Sequence, residues 1–155
     1  MVTECLSSAM LSTTAEYALR ITVFLAEQPD RFYTATDIAA RTRVPGGYLY
    51  KVIQSLVRGG LLSSQRGQNG GVKLRATADS ITLYDVVHTV TPFQRICSCP
   101  LELAEHKFAL CALHKALDDG YALLEQRLRG ITVSQLLQDR ENVHFPEAAA
   151  GEIAG

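Results

Sequence analysis

The chain has 155 residues, 47% of them hydrophobic, and a formal net charge of -1 from 15 basic and 16 acidic residues. That length allows one core with an added helical element and excludes two large domains. No apolar run approaches the roughly 20 residues that cross a bilayer, and the start lacks a signal-peptide pattern, so four cysteines point to a reducing cytoplasm.

The first periodic segment runs from about Ser12 to Glu27, with Tyr17, Ile21, Phe24 and Leu25 on one face and capping-box spacing from Thr13 to Glu16. Pro29 and Asp30 end it. A second box, Thr34 to Asp37, opens a short helix through Arg41 that turns Ile38 and Ala39 inward. Thr42, Arg43 and Val44 form a turn. Pro45 suits the first turn of the next helix, roughly Pro45 to Arg58, because its missing N–H is not needed there. Leu49, Val52, Ile53 and Leu56 line the buried side of that helix. Two short helices joined by a tight turn form a helix-turn-helix, whose second helix enters the major groove with its N-terminal residues nearest the bases.

Those residues are Gly46, Gly47, Tyr48, Tyr50 and Lys51. The glycines either let the backbone approach phosphate or merely finish the turn; Tyr50 and Lys51 can reach a base or a phosphate. Gly59 and Gly60 stop the helix. Leu61 and Leu62 then start a strand that returns through Val72, Lys73 and Leu74. The glycine-rich loop between them carries Arg66, Gln68 and Asn69 and can thread a minor groove, with Arg66 inserted where the potential is most negative. Charge supports a polyanion partner. From Arg31 to Arg75 there are eight basic residues against the single acid Asp37, so the rest of the chain sums to -8.

A helix is expected from Thr82 to Val90, again with a box from Thr82 to Asp85, and His88 within it reads as structural. Beyond Pro92, Cys97, Cys99, His106, Cys111 and His114 fall within 18 residues. Cys111 and His114 are three apart at the head of a long helix and share a face. Two soft ligands there, with two from the preceding loop, can close a tetrahedral site. Three chemistries fit. One is a two-iron, two-sulfur cluster with mixed cysteine, histidine and carboxylate ligation, ranked first. Another is a structural zinc on Cys99, His106, Cys111 and His114. The third is a metal-free thiol switch among Cys97, Cys99 and Cys111.

From Leu110 the long helix carries Leu113, Leu117, Tyr121, Leu124 and Leu128 at spacings of three or four, a stripe long enough to meet its twin in a homodimer. Thr132 to Gln135 caps a last short helix through Leu137, and residues 140–155 read as a flexible tail. The fold class is mostly α with a small β-hairpin wing: a winged helix-turn-helix with a long dimerisation helix. An enzyme would need a nucleophile–base pair or a phosphate loop, and neither pattern is present.

The segments LSTTAEYALRITVFLA, ATDIAARTRVPGGYLYKVIQSLVRGGLLSSQRGQNGGVKL and ITLYDVVHTV resemble the Rrf-two (Rrf2) family of bacterial transcription regulators, over about Leu11 to Asp139. The RGxxGG turn of the helix–wing block is the most specific part. The resemblance implies a homodimeric DNA-binding regulator, expected to be a repressor, on a palindromic double-stranded operator. It divides the chain into an extension (1–10, Cys5 included), a winged DNA-binding domain (11–90), a cysteine/histidine sensor loop (91–110), the dimerisation region (111–139) and the tail. It also implies a sensor of redox, nitric oxide or iron–sulfur status. Cluster-binding members carry three cysteines separated by five residues each. Here Cys99 and Cys111 match the outer pair, Glu105 stands in the middle with His106 beside it, and His114 matches a histidine ligand of one branch. Glu16 aligns with an acidic residue that, in another branch, reaches the cluster from the partner subunit. A further branch is controlled by a partner protein, and there the cysteines are incidental.

Overall fold

The computed structural model describes residues 11–68, 70–99 and 109–138. The extension before Leu11, Asn69, the stretch holding Glu105 and His106, and the tail all lie outside the described residues. Helix α1 (Thr13–Ala26) runs through the core, with Ile21, Phe24 and Leu25 fully buried. Its N-cap is Ser12, whose extended backbone lets the hydroxyl accept from the Ala15 amide. The box expected from Thr13 to Glu16 is therefore not formed. Capping begins one residue earlier, and Glu16 instead pairs with Arg20 one turn on.

Around α1 pack α2 (Ala35–Thr42), α3 (Gly46–Arg58), α4 (Leu83–Val90) and α6 (Val133–Gln138). The boxes at Thr34–Asp37 and Thr82–Asp85 form as expected. Helix α2 extends to Thr42, one residue beyond expectation, and the buried Thr42 hydroxyl donates to the Ile38 carbonyl at 2.7 Å. Pro45 is the N-cap of α3 rather than its first helical residue. At the other end of α3, Gly60 takes φ 80. The amides of Leu61 and Gly60 fold back on the carbonyls of Leu56 and Val57, so the last turn ends with its acceptors satisfied.

The wing is an antiparallel hairpin, β1 (Leu62–Gln65) and β2 (Gly71–Leu74), with Leu62 opposite Leu74. Tyr33 adds a bridge to Val72 through two 2.9 Å backbone bonds, which no pattern around Tyr33 announces. Gly71 is required there, since a β-carbon would stand 2.4 Å from the Tyr33 carbonyl oxygen. Thr82 and Thr132 form a second bridge, and Val133 donates to Ile81, which fixes α6 against the start of α4.

Helix α5 (Ala112–Arg129) begins later than expected: Cys111 is its N-cap, with extended backbone. Its apolar stripe divides. Leu128 is buried and Leu124 packs on the core, whereas Leu113, Leu117 and Tyr121 are 63%, 49% and 45% exposed. The first half is therefore largely exposed, with Tyr121 edge-on to Phe93 at 6.1 Å, and the second half packs on the core. None of the described helices is long and apolar enough to cross a membrane.

Candidate metal centre and nucleic-acid interface

The first turn of α3 is open. Pro45 provides no side-chain cap, and Gly46 and Gly47 are exposed, with nothing within 4 Å of a β-carbon at either position. The glycines are the first two residues of the helix, so they do more than finish a turn. Their amides precede the first helical acceptor, and the positive end of the helix dipole faces outward with them. Tyr50 and Lys51 are exposed beside them, and Tyr48 stands edge-on to Tyr17 at 5.4 Å. Just before this turn Arg43 closes α2 at φ 54, exposed and in the left-handed region. Arg66 and Gln68 are exposed at the tip of the wing. Three of the eight basic residues from Arg31 to Arg75 are occupied within the fold. Arg41 pairs with Glu27 at 3.5 Å, Arg31 lies over Tyr33, and Lys73 lies over Phe32. Arg43, Lys51, Arg58, Arg66 and Arg75 have no acidic partner among the described residues.

At the head of α5, three donors converge. Cys99 is buried, Cys111 and His114 are half-buried, and their ligand atoms all lie within 4.8 Å of one another. His114 Nδ1 stands 3.1 Å from Cys111 Sγ and 3.5 Å from Cys99 Sγ. Two thiols and an imidazole suit soft or borderline metals, zinc and iron among them. The expected pairing of Cys111 with His114 on one helical face arises differently, from an N-cap whose side chain turns back over the first turn.

Cys99 is held in place from a distance. Asp118, one turn beyond His114, accepts from Arg95 Nε at 2.6 Å and Nη2 at 2.5 Å and from the Ile96 amide at 3.0 Å. The Arg95 guanidinium, bonded to both oxygens, holds the Asp118 carboxyl below its ordinary value, and the Ile96 amide adds to this. The beginning of the segment is fixed too, since His88 Nδ1 accepts from the Phe93 amide at 3.0 Å and the ring stacks on Tyr84. His88 is exposed rather than buried in its helix, but its role is structural.

Over residues 11–139 the chain matches the family described as "Rrf2: Iron-dependent Transcriptional regulator". It belongs to the Rrf2 family. This Rrf2 protein is a DNA-binding transcription regulator and not an enzyme. It is 31% identical to protein aau3 of Rhizobium meliloti over 138 residues, 87% of this chain and 89% of that one. In fold it is similar to T. potens IscR, with TM-score 0.70 and 22% identity over 94% of each chain. It is also similar to CymR (YrzC), named as the global cysteine regulator of B. subtilis, with TM-score 0.67 and 24% identity over 83% of this chain and 96% of that one.

The structure brings together three of the five residues that the sequence of this Rrf2 regulator offers as metal ligands. Glu16 is outside the group and pairs with Arg20 in its own chain. His106 lies outside the described residues. Cys97 is exposed, with its thiol 3.6 Å from the Arg95 carbonyl, and is not part of the group. Sequence reasoning placed Arg43 in the turn and among the basic residues without singling it out, and missed Asp118. A basic residue before Pro45 was a usable signal for the first. Nothing local links Arg95 to Asp118, which stand 23 positions apart.

Proposed function

We propose that this Rrf2 regulator binds an inverted-repeat operator as a homodimer and that a metal centre on Cys99, Cys111 and His114 sets its affinity for DNA. The observation that carries the reading is the convergence of those donors at the head of α5, beside the bare face of Leu113, Leu117 and Tyr121. Apolar side chains left open along one helix face suit a second copy of the same helix. Filling or emptying the centre changes what holds the first turn of α5, and so the packing through which the two recognition helices are spaced. The DNA contacts are the amides of Gly46 and Gly47, the side chains of Tyr48, Tyr50 and Lys51, and Arg66 with Gln68 and Asn69 on the wing. A dimer this small acts most directly by occupying DNA, so repression is the expected sense.

Binding of the full-length protein to inverted-repeat DNA, measured with and without a chelator, tests this. Two subunits should bind half-sites about one helical turn, or a multiple of it, apart. If roughly 6–10 phosphates are neutralised, log affinity should fall with log salt at a slope of about -5 to -9. Arg66→Ala should cost most at sites with a narrow A·T minor groove. A chelator that removes the metal yet leaves affinity and dimerisation unchanged would refute the sensing part. Salt-independent binding would refute the interface.

A further inference from the structure

We infer that Tyr17 of α1 is a positioning residue for DNA recognition: it braces the ring of Tyr48 in the first turn of α3. The inference rests on the reading of Tyr48 as a DNA contact and deepens it. The two rings meet edge to face, with centroids 5.4 Å apart and planes at 68°. In that arrangement the positive edge of one ring lies against the negative face of the other.

The start of α3 has little else to hold it. Pro45 gives it no side-chain cap, and Gly46 and Gly47 bring no side chains to pack. The amides of Tyr48 and Leu49 donate to the Pro45 carbonyl at 2.9 and 3.0 Å, and these bonds stay within the turn. Tyr48 is the first residue of α3 with a side chain. Leu49, the next residue, is buried in the core, whereas Tyr48 is 47% exposed and meets the fold through Tyr17.

Tyr17 is well placed to act as the brace. Helix α1 is the element on which α2, α3, α4 and α6 pack, and Ala18 and Ile21, beside Tyr17 on that helix, are fully buried. Tyr17 itself is half-buried and packs against the same core. Its ring is also bounded by Arg20, whose guanidinium carbon stands 5.7 Å from the ring centroid, within reach of a cation–π contact. Glu16 pairs with Arg20 and so keeps the cation in place. A chain of contacts therefore runs from Glu16 through Arg20 and Tyr17 to the first side chain of α3. A ring already held in one orientation does not have to be ordered on binding, and ordering a free side chain weakens association by roughly 2- to 12-fold.

The test measures affinity for one inverted-repeat duplex, selected by the wild-type protein from a random-sequence pool. Full-length Tyr17→Phe, Tyr17→Leu, Tyr48→Ala and the Tyr17→Leu/Tyr48→Ala double variant are compared at one salt concentration, each beside its urea denaturation. Tyr17→Phe keeps the ring and should bind within about twofold of wild type. Tyr17→Leu should lose roughly 2- to 12-fold in the wild-type background and nothing further once Tyr48 is alanine. A loss that persists in the Tyr48→Ala background would overturn the brace, since Tyr17 would then act without Tyr48. An equal loss in Tyr17→Phe would overturn it too, because the hydroxyl and not the ring would be responsible. If Tyr17→Leu binds as wild type while Tyr48→Ala is weakened, the brace fails and the DNA contact of Tyr48 stands. If Tyr48→Ala binds as wild type, the contact fails and the brace with it. Should Tyr17→Leu not fold, proton NMR of the free wild-type protein decides: the Tyr17 and Tyr48 ring protons should show mutual contacts, and their absence would overturn the brace.

Discussion

Arg43 is the only non-glycine among the described residues with a positive φ, at 54, in a conformation that crowds its β-carbon against the backbone. Glycine is the usual occupant of such a helix end. The arginine is exposed, has no acidic partner among the described residues and lies three residues before the open start of α3, where the proposed DNA interface gives its charge a use. Arg43→Gly should therefore raise folding stability by up to about 1 kcal/mol. The same change should weaken DNA binding and reduce the salt slope by about 1. Gly46→Ala is the complementary case: no atom within 4 Å opposes the new methyl group, so stability rises while affinity falls. Urea denaturation and a salt series on one operator measure both; an equal loss of stability and affinity in either variant would mean a structural role. Residue-scale chemistry was legible where it is local. The boxes at Thr34 and Thr82 follow from spacing alone, whereas Ser12 and Thr13 are adjacent hydroxyls and only backbone geometry chooses between them.

Helix α5 was visible in the sequence as one stripe of leucines and a tyrosine, but its two fates were not. Periodicity reports that a face is apolar and says nothing of what covers it. Leu128 is covered by the subunit's own core, so Leu128→Ala should cost about 2–5 kcal/mol. Leu117 is half-exposed, so Leu117→Asp should cost monomer stability only about 1 kcal/mol and yet abolish the proposed dimer. Sedimentation at micromolar concentration, set beside thermal unfolding, separates the two effects. A Leu117→Asp protein that remains dimeric would place the interface elsewhere. The same limit applies to the centre. Cys99, Cys111 and His114 were legible as a cluster of donors within one stretch, but the segment that delivers Cys99 is fixed by Asp118, a contact made only once the chain has folded back on α5.

At the scale of the molecule, that contact joins the segment leaving the winged unit to helix α5. Asp118 is held below its ordinary value by Arg95, so its contribution is fully present above the ordinary aspartate range and is lost as pH falls through the depressed value. The Ile96 amide resonance should report this, with an inflection below that of a free aspartate that disappears in Asp118→Asn. A midpoint at or above the ordinary value would mean the tie is absent in solution. The charge division is equally global, since the basic stretch from Arg31 to Arg75 is balanced by acids elsewhere in the chain. Helix α5 also has a mechanical side. Asp118 ties the helix to Arg95 and Ile96, and the arm from there out to Cys111 is roughly 10 Å at 1.5 Å per residue. A tilt of about 10° there carries the tip through about 2 Å, enough to disturb side chains packed at van der Waals contact. If the proposed centre holds a metal, it loads the end of α5 farthest from Leu124 and Leu128, so the tip can be filled or emptied while the core of the winged unit stays folded.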